Sequence, residues 1–158
     1  ALAAERMKRQ GIPLRLVVID YLGLVAVTDR YRGRKVDELG EVALAAKSLA
    51  KRLGVAVVLL AQLNRQVEGR DDKRPVMSDL RDSGNIEEHA DVVGLLYREA
   101  YYLAKQAKKG DAEATERLLA CQYELDLDLG KNRLGPTDAV RLWADVARSA
   151  IDDMHWGR

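Results

Sequence analysis

The 158-residue chain contains no phenylalanine, and aromatic residues amount to only 5% of it. A protein that grips single-stranded nucleic acid by stacking its bases needs more aromatic faces than that. The single cysteine, Cys121, excludes an internal disulfide, fits a reducing cytoplasmic setting, and reads as a small buried apolar residue on a helix. A charge excess of either sign is missing too, since 26 Lys and Arg against 25 Asp and Glu leave +1. Partner choice then depends on where the charges sit, not on their sum. No apolar run approaches the ~18–20 residues that cross a bilayer, and the longest, residues 55–61, has the length of a strand. The first ten residues carry charges and make no secretory signal. The chain starts at Ala1 without an initiator Met, so it is expected to be a piece of something longer.

What is present is a globular composition. Hydrophobic residues at 47% and charged residues at 32% exclude long disorder, and the length suits one buried core. Residues 1–10 are helix-compatible and stop at Gly11-Ile12-Pro13. Residues 14–19 (LRLVVI) form a β-branched run that predicts a strand buried on both faces. Residues 28–35 are a polar, basic loop. From 36 to 53 apolar residues recur every three or four positions, which predicts an amphipathic helix closed by Gly54. A second buried strand is expected at 55–60, a charged loop at 65–75, short helical turns at 78–90 and a third strand at 91–97. Strand, helix, strand and a further crossover predict α/β architecture with a mostly parallel sheet flanked by helices. Beyond Arg98, residues 100–121 read as two helices broken at Gly110-Asp111. Residues 124–129 (ELDLDL) alternate as a half-exposed strand, 133–138 turn, and 139–143 return, so a β-hairpin is expected, followed by a tail of helical character.

Asp20 ends the first strand, where open α/β sheets place their ligands, and is a candidate to hold Mg²⁺ directly or through water. The same residue can equally cap the following loop. Gln62 follows the next strand in the same manner. It can orient a water or sense a γ-phosphate, or simply face solvent. The phosphate loop that belongs with such a site, GxxxxGK[ST], is absent from the sequence: Gly130-Lys131 is followed by Asn132, and Leu125 stands where the first glycine is needed. The stretch from Asp79 through Arg81, Asp82 and Gly84 to Glu87 suits either a phosphodiester backbone or a capped helix start. Lys131 and Arg133 in the hairpin are solvated charges or groups that reach a neighbouring subunit's phosphate site.

Together, LVVIDYLGL (16–24), LAQLNRQVEGRDDKRPVMSDLRDSGNIEEHAD (60–91) with VVGLLYREAYY after it, and GKNRLGP (130–136) resemble the C-terminal motor domain of DnaB-type replicative DNA helicases. The resemblance implies a partial RecA-like core over residues 1–143, a helical insertion at 103–123 and a tail at 144–158. It implies ATP and Mg²⁺ as cofactors, a homo-hexameric ring around single-stranded DNA, 5′-to-3′ translocation driven by ATP hydrolysis at subunit interfaces, other replisome proteins as partners, and a cytoplasmic location. On the matching positions, Asp20 corresponds to the Walker B acid, Gln62 to the conformational sensor, and Arg133 to an arginine finger given in trans with Lys131 beside it. Arg81, Asp82 and Gly84 fall on the DNA-contacting loop, where backbone tracking needs few aromatics. Four positions depart from the usual pattern: Gly23 for Gln, Asp82 for Glu, Leu134 for Asn, and Asp138 for Gly.

Two other readings compete with a motor: a non-catalytic module that binds DNA or a helicase, and a RecA-like recombinase ATPase. With no phosphate loop and no activating glutamate beside it, the 158-residue chain on its own is expected to hydrolyse no ATP. Steady-state phosphate release checks this, and nucleotide-dependent turnover by the purified chain refutes it.

Overall fold

A computed structural model describes residues 2–21, 25, 35–83 and 86–154. They fall into two compact units, Ala1–Asp91 and Val92–Arg158.

The first unit is built on a parallel pair, β1 (Leu16–Ile19) and β2 (Ala56–Leu59), joined through the long helix α2 (Lys35–Leu53). Helix α1 (Leu2–Arg9) precedes them. The expected periodicity of α2 holds: Val42, Ala43, Ala46 and Leu53 are buried along one stripe. Gly54, at φ +66°, turns the chain straight from the helix into β2, with its N–H donating to the Ala50 carbonyl at 2.9 Å. Leu59 packs on Val42 and Ala43, joined there by Leu39 and by Ile86 of the one-turn helix α3 (Ile86–His89). One expectation fails here. The strands were read as buried on both faces, yet Leu16 and Val18 are 50% and 56% exposed, and Val58 is exposed beside them. Register explains the grouping, because Val18 lies opposite Val58 and Leu16 opposite Ala56. Side chains alternate across a strand, so α2 covers one face only. The basic stretch at 28–34 and Gly23 lie outside the described residues.

The charged loop after β2 is ordered by its own side chains. A 3₁₀ turn, Arg65–Gly69, is capped by Asn64, whose side chain accepts from the Gln66 N–H at 2.9 Å. A second 3₁₀ turn, Met77–Ser83, follows. Within it the buried Asp79 accepts through Oδ2 from Arg70 Nη2 at 2.8 Å and from the Val76 N–H at 2.8 Å. Arg70 Nη2 also reaches the Arg74 carbonyl at 3.0 Å, and Lys73 Nζ donates to the Glu68 and Arg70 carbonyls.

The second unit is an antiparallel sheet in the order β3 (Val92–Tyr97), β4 (Glu124–Asn132), β5 (Ala139–Asp145) and β6 (Ala150–Asp153). This corrects the reading of β3 as a third parallel strand: it runs antiparallel to β4, with Val92 opposite Asn132 and Tyr97 opposite Asp126. The connection carries the expected helical pair, α4 (Glu99–Ala107) and α5 (Ala112–Cys121). Gly110 at φ +91° makes the break, and Asp111 caps α5 by accepting from the Ala114 N–H at 3.0 Å. Ala100, Leu103, Ala114 and Cys121 form the buried seam between the helices. Burial raises the Cys121 thiol above its ordinary pKa, and Glu99 and Glu124 add to the shift. The tail departs from its helical expectation. Asp145 accepts from the N–H groups of Ala147 and Arg148 and so caps the start of a single 3₁₀ turn, Val146–Arg148. Ser149 at φ +52° then redirects the chain into β6, which pairs with β5. Residues 155–158 lie outside the described residues.

The Arg70–Asp79 pair predicts a specific stability pattern. Asp79→Ala leaves the Val76 N–H without its acceptor and the Arg70 guanidinium with the Arg74 carbonyl in place of a carboxylate, and is expected to cost about 2 kcal/mol. Asp79→Asn, which retains an acceptor oxygen, is expected to cost about half of that. Urea unfolding of the chain measures both. An Asp79→Ala loss inside about 0.5 kcal/mol, the range of ordinary surface changes, refutes this role.

Candidate nucleotide and nucleic-acid site

Two of the residues singled out in the sequence emerge from one end of one ladder. β1 and β2 run in register, Ile19 lies opposite Leu59, and the Leu60 N–H donates to the Ile19 carbonyl at 3.0 Å. Both chains therefore leave the sheet together at their carboxyl ends. Asp20 follows β1 directly and Gln62 lies three residues past β2; both are exposed. In parallel α/β sheets this carboxyl edge is where ligands bind, because the strand ends splay and the loops after them are free to vary.

The loop geometry ties a third element to that edge. The Asn64 N–H, two residues beyond Gln62, donates to the Asp79 carbonyl at 3.0 Å. This bond fixes the second 3₁₀ turn to the segment leaving β2. Arg81 and Asp82 follow Asp79 by two and three residues in that turn. Their side chains, and Gly84 altogether, lie outside the described residues. Asp79 itself was grouped with the phosphodiester-holding stretch, but its carboxylate is buried and engaged by Arg70 and Val76. It acts as a support for the turn. Asn64, Arg70 and Asp79 are positioning residues that the sequence reading did not single out. The readable signal was Asn64, a side chain suited to an Asx cap ahead of a turn.

The basic pair belongs to the second unit. Lys131 was placed in the hairpin turn, but β4 extends to Asn132 and puts Lys131 within the strand, opposite Val93. Arg133 is the first loop residue and is exposed. The hairpin closes by the Leu129 N–H donating to the Asp138 carbonyl at 2.9 Å. Asn132 then braces the loop from inside: its Nδ2 donates to the Pro136 carbonyl at 3.1 Å, and its Oδ1 accepts from the Leu134 N–H at 3.3 Å. A β-carbon on Gly135 would stand 2.9 Å from Asn132 Nδ2, so a side chain there would push the bracing amide aside. Asp20 and Gln62 thus sit in one unit and Lys131 and Arg133 in the other.

A divalent ion is a fair fit to this donor set. Among the described residues no three His, Cys, Asp or Glu side chains gather into a metal cage. Asp20 supplies one accessible carboxylate. Mg²⁺ bound with a nucleotide characteristically takes one or two protein carboxylates and fills its octahedron with phosphate oxygens and water.

Comparison with known proteins gives the family and the fold. The model of the DnaB-like helicase C terminal domain family matches residues 1–151. The replicative DNA helicase DnaB of Rickettsia prowazekii is 43% identical over 155 residues, covering 96% of this chain and 32% of that protein. The replicative DNA helicase DnaB of Geobacillus stearothermophilus is 39% identical over 137 residues, covering 87% and 27%. The chain therefore spans about a third of the length of the curated relatives it matches. Among solved structures, the ATPase domain of G40P superposes with a TM-score of 0.78 at 30% identity, over 97% of this chain and 50% of that one. A DnaB-like replicative helicase, solved with its interactions with primase, gives 0.80 at 31% identity, over 98% and 34%. The fold is that of RecA-like helicase ATPase domains, with one parallel and one antiparallel sheet. On the extent of the family match and the level of identity to its relatives, the chain belongs to the DnaB-like helicase C-terminal domain family.

Proposed function

We propose that this chain supplies the Mg²⁺-side carboxylate, the sensor glutamine and the trans-acting basic hairpin of an ATP-dependent replicative DNA helicase. The observation that carries the reading is the shared exit of β1 and β2, which brings Asp20 and Gln62 to one carboxyl edge. Asp20 is the residue that would hold Mg²⁺ there, directly or through water, when a nucleotide is bound. When bound, the ion neutralises charge that builds on the phosphate oxygens during phosphoryl transfer. Gln62 hydrogen-bonds toward the same phosphates without adding charge. It lies two residues before Asn64, whose N–H binds the Asp79 carbonyl, so a shift at Gln62 is passed to the turn bearing Arg81 and Asp82. That turn, with Gly84, contacts the phosphates of single-stranded DNA. Arg133, with Lys131 beside it, enters the nucleotide site of a neighbouring protomer. A hexameric ring in a cytoplasmic replisome is the assembly in which each chain both gives and receives these groups.

The test uses the protein expressed from its full reading frame. Asp20→Asn is expected to lower kcat for ATP by at least about a hundredfold with the ring intact. Arg133→Ala is expected to lower it by about 10³–10⁵-fold, the typical effect of an arginine finger. Arg81→Ala is expected to weaken single-stranded DNA binding alike on all sequences and to reduce the salt slope by about 1. Wild-type turnover by Asp20→Asn refutes the reading.

A further inference from the structure

Four of the large hydrophobic side chains left in solvent gather on one face of the second unit. Tyr101, Leu119, Tyr123 and Val146 border a groove of about 560 Å³ between α4, α5 and the 3₁₀ turn at Val146–Arg148. Leu119 and Val146 are 67% and 61% exposed. Clefts that hold ligands have volumes of about 300–1,000 Å³, and clustered apolar exposure marks a contact site where scattered exposure does not. The α4 wall is a helical stripe, with Tyr101, Ala104, Lys105 and Lys108 three or four residues apart. Ala104 is small and leaves a notch between its larger neighbours on that stripe. None of these residues belongs to the nucleotide or DNA assignments above.

The charge the groove offers to a partner is positive. Lys105 and Lys108 are exposed on it. Arg98 gives Nη2 to a neutral acceptor, the Gln122 carbonyl at 2.7 Å, and its buried Nε meets no acceptor among the described residues. Asp145, the carboxylate on the same lining, faces its own chain: it accepts from the Ala147 and Arg148 N–H groups and pairs with the Arg148 guanidinium. The aromatic rings are not open platforms for bases. Lys105 Nζ lies 3.9 Å from the centre of the Tyr101 ring, and Tyr123 stacks on Trp143 with ring centres 5.7 Å apart.

We propose that this groove docks an acidic amphipathic helix of a partner protein. Apolar anchors of that helix, three or four residues apart, seat among Tyr101, Leu119 and Val146, and carboxylates on its flank face Lys105, Lys108 and Arg98. A helix suits the groove because two of the walls are themselves helices, whose ridges take the side chains of a third between them. Apolar burial supplies the affinity, and the basic groups select the partner's charge and orient it.

The test uses the protein from its full reading frame and a fluorescein-labelled synthetic helix of about fifteen residues, with Leu on one stripe and Glu on its flanks. A counterpart carries Lys in place of Glu. Anisotropy is expected to give a dissociation constant of about 10–100 µM for the acidic helix and binding at least about tenfold weaker for the basic one. Leu119→Asp and Lys108→Glu are each expected to weaken the acidic helix by about fivefold or more, with melting temperature and ATP turnover unchanged. Lys108→Glu, which alters only an exposed charge, carries the comparison if Leu119→Asp melts early. A benzophenone at the centre of the acidic helix is expected to crosslink to residues 98–123 or 145–147. The proposal is overturned if the acidic helix does not bind, if the two helices bind alike, if neither substitution weakens binding, or if the crosslinks map elsewhere. It is also overturned, in favour of nucleic acid, if the substitutions weaken oligo(dT) binding and leave the acidic helix unaffected.

Discussion

One carboxylate organises the longest irregular stretch of the first unit. Asp79 takes a guanidinium hydrogen from Arg70 and a backbone hydrogen from Val76 on one oxygen, while its own carbonyl receives the Asn64 N–H. The two 3₁₀ turns are thereby stitched to each other and to the end of β2. A pair between a buried carboxylate and a part-exposed guanidinium adds little net stability, but its loss strands the Val76 N–H, so its main effect is to select one loop conformation. That selection matters because a loop of this length has many alternatives of similar energy, and the residues it carries need fixed positions.

The consequence reaches both ends of the segment. At one end lies Gln62 on the carboxyl edge that it shares with Asp20; at the other lie Arg81 and Asp82. Five residues separate Asn64 from Arg70 in sequence, and the bond between Asn64 and Asp79 closes the loop across them. The segment leaving β2 and the turn that bears Arg81 and Asp82 are thus joined by a hydrogen-bonded frame between Asn64 and Asp79. The second unit solves a separate problem. Its antiparallel sheet stiffens a hairpin whose loop is held by Asn132, and the hairpin presents its basic and apolar residues outward.

What the sequence disclosed follows the range of the interactions involved. Helix α2 was legible because its signal is local: apolar residues every three or four positions, and a glycine at the one place that requires a left-handed turn. The α4–α5 break at Gly110-Asp111 was legible for the same reason. Strand partners were not, since nothing within residues 92–97 specifies that they pair antiparallel with residues 126–132 some thirty positions on. Burial misled for β1 and β2, because a run of Val, Leu and Ile fits a two-sided core and a one-sided face equally well. The tail misled because Ser149, in the left-handed region after one 3₁₀ turn, sends the chain back to pair with β5 where a helix would have continued. For the site, Asp20 and Gln62 were visible as polar residues ending apolar strands. Asp79 was not visible as a support, because a buried aspartate and an exposed one look alike until their partners are placed.

The lone thiol has a practical side. Cys121 is buried in the seam between α4 and α5, and its surroundings disfavour the thiolate, the form that attacks maleimides and disulfides. Within this chain, the native background for thiol labelling is therefore nearly silent. A cysteine placed at an exposed position, such as the rim of the hairpin or the start of α5, would be the reactive one without removing Cys121 first. Spectroscopic probes could then report distances from chosen positions in a protein whose own thiol stays out of the way.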